Sequence, residues 1–273
     1  MEEVTDFLMG SSKWLVLTGA GVSSDSGIPT YRNQLGHWKR KQPVTHQQFI
    51  RSLACRQRFW ARNVVGWRFI VQAQPNLAHY SISDLQKNGV VMGLVTQNVD
   101  GLHQLAGSQN VIDLHGRIDR VKCLSCGDGT PRSSLQSWFE LQNPEFVHQA
   151  GQIAPDGDAD ADNLDFTLLR VPCCPKCQGI LKPDVVFFGD AVPRKRLETA
   201  REMMELASGL LVIGSSLMTY SGYRFCLWAN DQNKPIVLVN QGETRADHLA
   251  TMKAPTTCSL ILQSWLKRLR ISR

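Results

Sequence analysis

Trp14-Leu-Val-Leu-Thr-Gly-Ala-Gly-Val-Ser-Ser24 decides the fold: an unbroken apolar run empties directly into a glycine turn. A run without polar alternation suits a parallel strand covered on both faces. Glycines just past such a strand let the backbone approach a pyrophosphate, and the N-terminus of a following helix adds N–H donors and a favourable dipole end. The dinucleotide fingerprint is incomplete, because Ser24 stands where its third glycine belongs and no Asp or Glu closes a second strand about 20 residues on. A hydride-transferring oxidoreductase is thereby disfavoured.

Runs of the same kind recur along the chain at Val90–Thr96, Asn110–Leu114, Asp184–Phe188, Leu210–Ile213 and Pro235–Val239. Between the last runs, Arg194–Ala207 places Leu197, Ala200, Met204 and Ala207 at three- and four-residue steps, the mark of an amphipathic helix. Strands alternating with helices predict an open α/β sheet. Two stretches break the alternation. Residues 36–85 carry Phe59, Trp60, Trp67 and Phe69 in a helix-like spread and predict a helical module; residues 118–183 hold most of the cysteines and predict a loop-rich module stapled by metal. The expected division is 1–35, 86–117 and 184–273 for the sheet domain, with the two modules inserted.

With 273 residues and 42% hydrophobic content, the chain buries a sizeable core. The formal charge of +6 favours acidic partners, but its clusters, Lys39-Arg-Lys41 and Lys267-Arg-Leu-Arg270, are short and read equally as solvated surface. No apolar run approaches the ~20 residues that span a bilayer. Glu2, Glu3 and Asp6 precede the first basic residue, Lys13, which suits neither a secretory signal nor an organellar transit peptide, so a cytoplasmic location is expected.

Cys123-Leu-Ser-Cys126 and Cys174-Pro-Lys-Cys177 each present two thiolates from one tight turn. Four thiolates suit tetrahedral Zn²⁺, and a closed shell leaves no position for a catalytic water, so the predicted metal is structural. A redox or disulfide pair is the alternative reading of either CxxC. Cys173 offers a rival spacing and is set aside because Cys174 reproduces that of the first pair. Asp158, Asp160 and Asp162 resemble the start of a calcium loop, but Asn163 and Leu169 stand where Gly and Glu are needed, so calcium is rejected.

The glycine turn continues through Ser26-Gly-Ile-Pro-Thr-Tyr-Arg32. Gly19–Arg32, Thr96-Gln-Asn-Val-Asp100, His115-Gly116, the two CxxC pairs and Gly214-Ser-Ser216, in that order, resemble the sirtuin family of NAD-dependent protein-lysine deacylases. Tyr31-Arg32, Trp60–Asn63, Ala154–Asp158 and Leu181–Asp190 are similar to its class II branch, nearest the mitochondrial lipoamidase and ADP-ribosyltransferase type; the acidic N-terminus departs from that mitochondrial pattern. The resemblance implies a Rossmann-like, mostly parallel sheet with helices on both faces, a small domain joining the helical and zinc modules, NAD consumed as co-substrate, and acylated-lysine proteins as partners.

It also distributes roles. Gly19, Ala20, Gly21 and Ser23 would line the cofactor, Gly214, Ser215 and Ser216 would take its phosphates, and Arg32 would close over it. Gln97 and Asn98 would hold the nicotinamide ribose, and Asp100 with the backbone near Ile28 the carboxamide. Asn240, Gln241 and Gly242 would carry the adenosine ribose, with Cys258 at adenine. In the family, the acyl-lysine carbonyl oxygen displaces nicotinamide; that oxygen is a poor nucleophile and must be held in line and away from water. His115 would then take a proton from a ribose hydroxyl; read alone it is an ordinary polar residue, and Gly116 and the 96–100 segment reverse that. His37, His46, His79, His148 and His248 have no motif support and read as surface or packing residues.

Val186, Phe187, Phe188 and Gly189 correspond to the segment that offers an edge to an extended peptide, a mode that reads backbone more than side chains. Members preferring acidic acyl groups carry a Tyr-x-x-Arg pair; Phe59 and Arg62 stand there, so the phenol hydroxyl is missing and apolar acyl groups are expected to outrank succinyl or malonyl. Protein mono-ADP-ribosylation is the alternative within the family. A zinc-ribbon nucleic-acid protein is the remote one, disfavoured by the acidic Asp156–Asp165 stretch, and no sequence-specific nucleic-acid binding is expected.

Overall fold

The computed structural model describes residues 2–11, 13–33, 37, 39, 43–147 and 165–269. Most of the acidic stretch 154–165, Arg40, Lys41, His148 and Arg270 lie outside the described residues.

The strands expected near Trp14, Val90, Asn110, Leu210 and Pro235 form β1 (Trp14–Thr18), β2 (Val91–Thr96), β3 (Val111–Asp113), β7 (Gly209–Ile213) and β8 (Ile236–Val239). A short β9 (Met252–Ala254) completes a six-stranded sheet in the order β3-β2-β1-β7-β8-β9, parallel throughout. β1, β7 and β8 are buried along their whole lengths, which is why their sequences lack polar alternation. One face carries α1 (Glu2–Met9), α4 (Leu77–Lys87) and α10 (Cys258–Arg268), through Leu8, Ile82, Leu262 and Trp265; the other carries α8 (Arg194–Leu206) and α9 (Tyr220–Asp231), through Ala200, Met204 and Phe225.

The smaller half is a three-stranded sheet, β5-β4-β6, of β4 (Gly116–Cys123), β5 (Gly129–Pro131) and β6 (Leu181–Val185). It packs with α2 (His46–Arg51), α3 (Leu53–Gln72), α6 (Arg132–Gln142) and α7 (Pro144–Val147) around Phe49, Trp60, Phe139 and Phe146. The 118–183 stretch thus holds more regular structure than loops stapled by metal. Of the expected helical module, α2 and α3 join this core, whereas α4 lies on the large sheet, where Ala78, Ile82 and Leu85 are buried. A four-residue α5 (Leu102–Leu105) follows β2.

One predicted strand is corrected. The run Asp184–Phe188 does not join the parallel sheet: its strand is Leu181–Val185 and pairs antiparallel with β4. Val186–Phe188 lie beyond it, and their apolar character reflects burial of Phe187 in the small core. No helix among the described residues is long and apolar enough to cross a membrane.

Candidate functional site

Strand order reverses between β1 and β7, and in an open parallel sheet a crevice opens beyond the strand ends at such a switch point. Two turns meet there backbone to backbone. Gly21 N–H donates to the Gly214 carbonyl at 2.8 Å, and Gly19 N–H to that of Ile213 at 3.1 Å. A Cβ on Gly21 would fall 2.9 Å from Gly214 Cα, and one on Gly19 would fall 2.7 Å from Ser215 Cβ. Only glycine permits this approach. After β1 the chain turns through a short 3-10 segment, Ala20–Ser26, ended by Gly27 at a positive φ of 82°.

The crevice is a cleft of about 1040 Å³, at the top of the range for small-molecule sites. Its walls contain every residue assigned to the cofactor from sequence: Gly19, Ala20, Gly21, Ser23, Ile28, Arg32, Gln97, Asn98, Asp100, Gly214, Ser215, Ser216, Asn240, Gln241, Gly242 and Cys258. His115 and Val186–Gly189 line it as well. A floor of paired glycine backbones, with no side chain able to fill it, fits an elongated, phosphate-bearing dinucleotide such as NAD. Cys258 remains a thiol, its pKa pushed up to about 12 by burial.

Gln97, Asn98 and Asp100 follow β2 and tie the walls together. The Gln97 amide donates to Ser215 Oγ at 2.7 Å and accepts from Thr219 Oγ1 at 3.3 Å, linking the turn after β7 to the start of α9. Asn98 donates to the Gly19 carbonyl and to Ser23 Oγ, both at 3.1 Å. Ser23 in turn donates to Asp100 Oδ2 at 2.7 Å, while Leu102 N–H donates to Oδ1 at 2.9 Å. Burial raises the Asp100 pKa; the bonds from Leu102 and Ser23 and the charge of Arg117 oppose it.

His115 stands between β3 and β4, its orientation fixed from two sides. Nδ1 is 2.9 Å from the Gln97 carbonyl, which only accepts, so Nδ1 carries the proton. Nε2, 2.8 Å from Ser221 Oγ, is then the acceptor of the neutral ring. Burial lowers the His115 pKa to about 4, with Arg196 pushing the same way and the Gln97 carbonyl against. The next residue, Gly116, has φ 85°, and a Cβ there would collide with the Asp184 carbonyl.

Behind the cleft lies a layer that the motifs did not reveal. His79, fully buried on α4, accepts the Asn76 N–H at Nδ1 (3.2 Å), so Nε2–H points to Ser23 Oγ at 3.4 Å. Its ring centroid is 4.8 Å from that of His103, whose Nε2 is 2.9 Å from Thr18 Oγ1. His79 thus packs as expected but also supports Ser23. The Asn76-x-x-His79 spacing of a capping box was the available signal.

The segment after β6 is clasped rather than paired. Val186 N–H donates to the His115 carbonyl at 2.8 Å, His46 N–H to that of Phe188 at 2.9 Å, and Gln47 Nε2 to that of Gly189 at 2.8 Å. Lys182, nearly buried, donates to the Val185 carbonyl and lies 3.7 Å from Asp190, which His46 approaches at 3.4 Å. A second, small cavity beside this segment is lined by Tyr31, Val44, Phe59, Ile118, Val185 and Phe187 among others, with no charged side chain among the described residues. Phe59 reaches it, but Arg62, on the same helix, lines neither cavity.

The sulfurs of Cys123, Cys126, Cys174 and Cys177 all lie within 4.8 Å of one another, with Cys123–Cys177 at 3.5 Å and Cys126–Cys174 at 3.7 Å. Tetrahedral zinc with ~2.3 Å bonds sets sulfurs ~3.8 Å apart, so the cluster is compatible with a closed structural zinc site. Gly127 and Gln178, each directly after a second cysteine, take positive φ values of 76° and 60° and turn the two loops. Exposed Cys173 stays outside the cluster.

A sequence profile of the Sir2 family matches residues 19–221. An NAD-dependent protein deacetylase of Bordetella bronchiseptica is 49% identical over 262 residues, 96% of each chain. The mitochondrial NAD-dependent protein lipoamidase sirtuin-4 of Bos taurus is 46% identical over 265 residues, 96% of this chain and 84% of its own. A solved Sir2 with a p53 peptide and NAD+ superposes with a TM-score of 0.76 at 30% identity, covering 100% of this chain and 99% of that one. Sir2Tm bound to a propionylated peptide gives 0.79 at 29% identity, with the same coverage. With the glycine turns, the 96–100 segment and His115 gathered on one cleft, and with likeness running the length of the chain, this protein belongs to the Sir2 family.

Proposed function

We propose that this chain is an NAD-dependent protein-lysine deacylase, that acylated-lysine proteins are its substrates, and that His115 is its general base. The observation that carries the assignment of His115 is its tautomer: the Gln97 carbonyl holds the proton on Nδ1 and leaves Nε2 as a base at the cleft wall. NAD supplies the ribose carbon that nicotinamide leaves and the hydroxyls that receive the acyl group. The chain's own work is to orient and to move a proton. A ring kept neutral by burial can accept a ribose hydroxyl proton at Nε2, in the place Ser221 Oγ now takes, a step worth ~10²–10⁴ in rate. Asn98, whose amide N–H groups are committed to Gly19 and Ser23, presents its Oδ1 as the free acceptor for the ribose. Asp100, fixed by Ser23 and Leu102, would receive the carboxamide, and Arg32 with the turn from Gly214 to Ser216 would receive the phosphates.

Val186–Gly189 would seat the peptide, and the small apolar cavity at Phe59 and Phe187 would take the acyl chain. Its lining, uncharged among the described residues, supports acetyl and longer apolar acyl groups over succinyl or malonyl. Nicotinamide release with matched acetyl, octanoyl, lipoyl and succinyl peptides, with the products weighed by mass spectrometry, tests this reading. Peptide losing its acyl group, with acetyl or apolar chains ahead of succinyl, is the expected result. A protein that gains ADP-ribose and keeps its acyl groups would overturn it.

A further inference from the structure

His115 is held from two sides of the cleft. Its carbonyl accepts the Val186 N–H at 2.8 Å, and its ring meets Ser221 Oγ at 2.8 Å, so the proposed peptide seat and the start of α9 flank the same residue. Arg224 lies three residues beyond Ser221 on α9, hence on the same helix face, and lines the same cleft. Its guanidinium carbon lies over the Tyr220 ring, 4.9 Å from the centroid, and Tyr220 is 56% exposed. Among the described residues Arg224 meets no carboxylate, and its buried Nε has no hydrogen-bond partner. Asp190, an acid lining the same cleft, is engaged by Lys182 at 3.7 Å and His46 at 3.4 Å.

We propose that Arg224 is a specificity residue that reads an acidic side chain of the substrate close to the acyl-lysine. An arginine packed over an aromatic ring is pre-organised, because less rotamer freedom is lost when it binds, and its donor fork matches a carboxylate. The position beside His115 is where an extended peptide seated on Val186–Gly189 would carry the residues flanking the acyl-lysine; the proposal rests on that seat. A backbone-reading seat alone gives no charge preference. Arg224 adds one, and partial burial makes it stronger than an open surface pair.

The test compares kcat/KM for otherwise identical acyl-peptides bearing Glu, Gln or Lys at each flanking position in turn. Wild type is expected to prefer Glu over Gln roughly three- to ten-fold at one position. In Arg224→Gln the Glu-to-Gln ratio at that position falls to about one, and in Arg224→Glu the preference moves to Lys. A ratio that survives Arg224→Gln, or Arg224 variants that slow all three peptides equally, overturns the proposal. A neutral acyl-peptide with a photoreactive residue beside the acyl-lysine separates it from the reading beneath it. Cross-links on 186–189 with no charge preference refute Arg224 alone, whereas cross-links elsewhere refute the seat and the proposal together.

Discussion

In the six-stranded half, two apolar layers close over β1, β7 and β8, which are buried end to end, and a hydrogen-bonded polar network sits at the strand tips. In the three-stranded half, a cluster of aromatic rings around Phe49, Phe59 and Trp60 shares one core with two of the four cysteines, Cys123 and Cys174. The first half draws its stability from area removed from water. The second adds a metal site to a core about half as rich in strands. The cleft lies across both, since the glycine turns proposed for the cofactor belong to the large sheet and Phe187 of the proposed peptide seat to the small core. Damage to one half therefore ought to be separable from damage to the other.

The largest separation is expected from the metal. Cys174→Ser, or chelation, removes a site whose counterparts in small zinc peptides are worth ~10–16 kcal/mol of apparent folding energy. Zinc content and peptide turnover should fall together while NAD still binds, measured by calorimetry and metal analysis; equal loss of NAD binding would merge the two halves. His115→Ala acts inside the large half and should lower kcat by ~10²–10⁴ with little change in melting temperature. A variant that turns over normally removes His115 from the mechanism. Gly21→Ala forces a Cβ against Gly214 and should cost about 1–3 kcal/mol, seen as weaker NAD binding with the zinc site intact.

The smallest effect is a slope. Burial lowers the pKa of His79 and of His115 to about 4, below the ordinary 6.5, and holds that of His103 well below its ordinary value too. Each is neutral when folded and takes up a proton on unfolding, so the stability it contributes is complete above pH 6.5 and is lost as pH falls through about 4. Asp100, with a raised pKa, works the opposite way. Within that window His79→Gln should flatten the stability-versus-pH line by up to ~1.4 kcal/mol per pH unit, because one proton fewer is bound on unfolding. An unchanged slope in urea titrations would show that His79 is charged in the folded state.

What could be read from sequence was local. The runs at Trp14, Val90, Leu210 and Pro235 announce themselves because strands buried on both faces lack polar alternation. The glycines at 19 and 21 are legible because a close backbone approach permits nothing else, Gly214 only through the family resemblance, and the paired cysteine spacing names its own geometry. What stayed hidden depends on partners far along the chain. Asp184–Phe188 has the composition of a core strand, yet it pairs with β4 in the small sheet and then bends away toward His46 and Gln47. His79 meets Ser23 across 56 positions, and Ser221 meets His115 across 106, separations no local pattern records. α4 falls within the 36–85 stretch by position, although its apolar face matches the large sheet.

The most direct measurement is the distance from His115 Nε2 to the nicotinamide ribose in a crystal structure of the protein with NAD and an acylated peptide. Nε2 within hydrogen-bond reach of a ribose hydroxyl, about 2.6–3.2 Å or through one water, is the expected result. A ring still bonded to Ser221, with the sugar bound elsewhere in the cleft, would contradict the role given to His115.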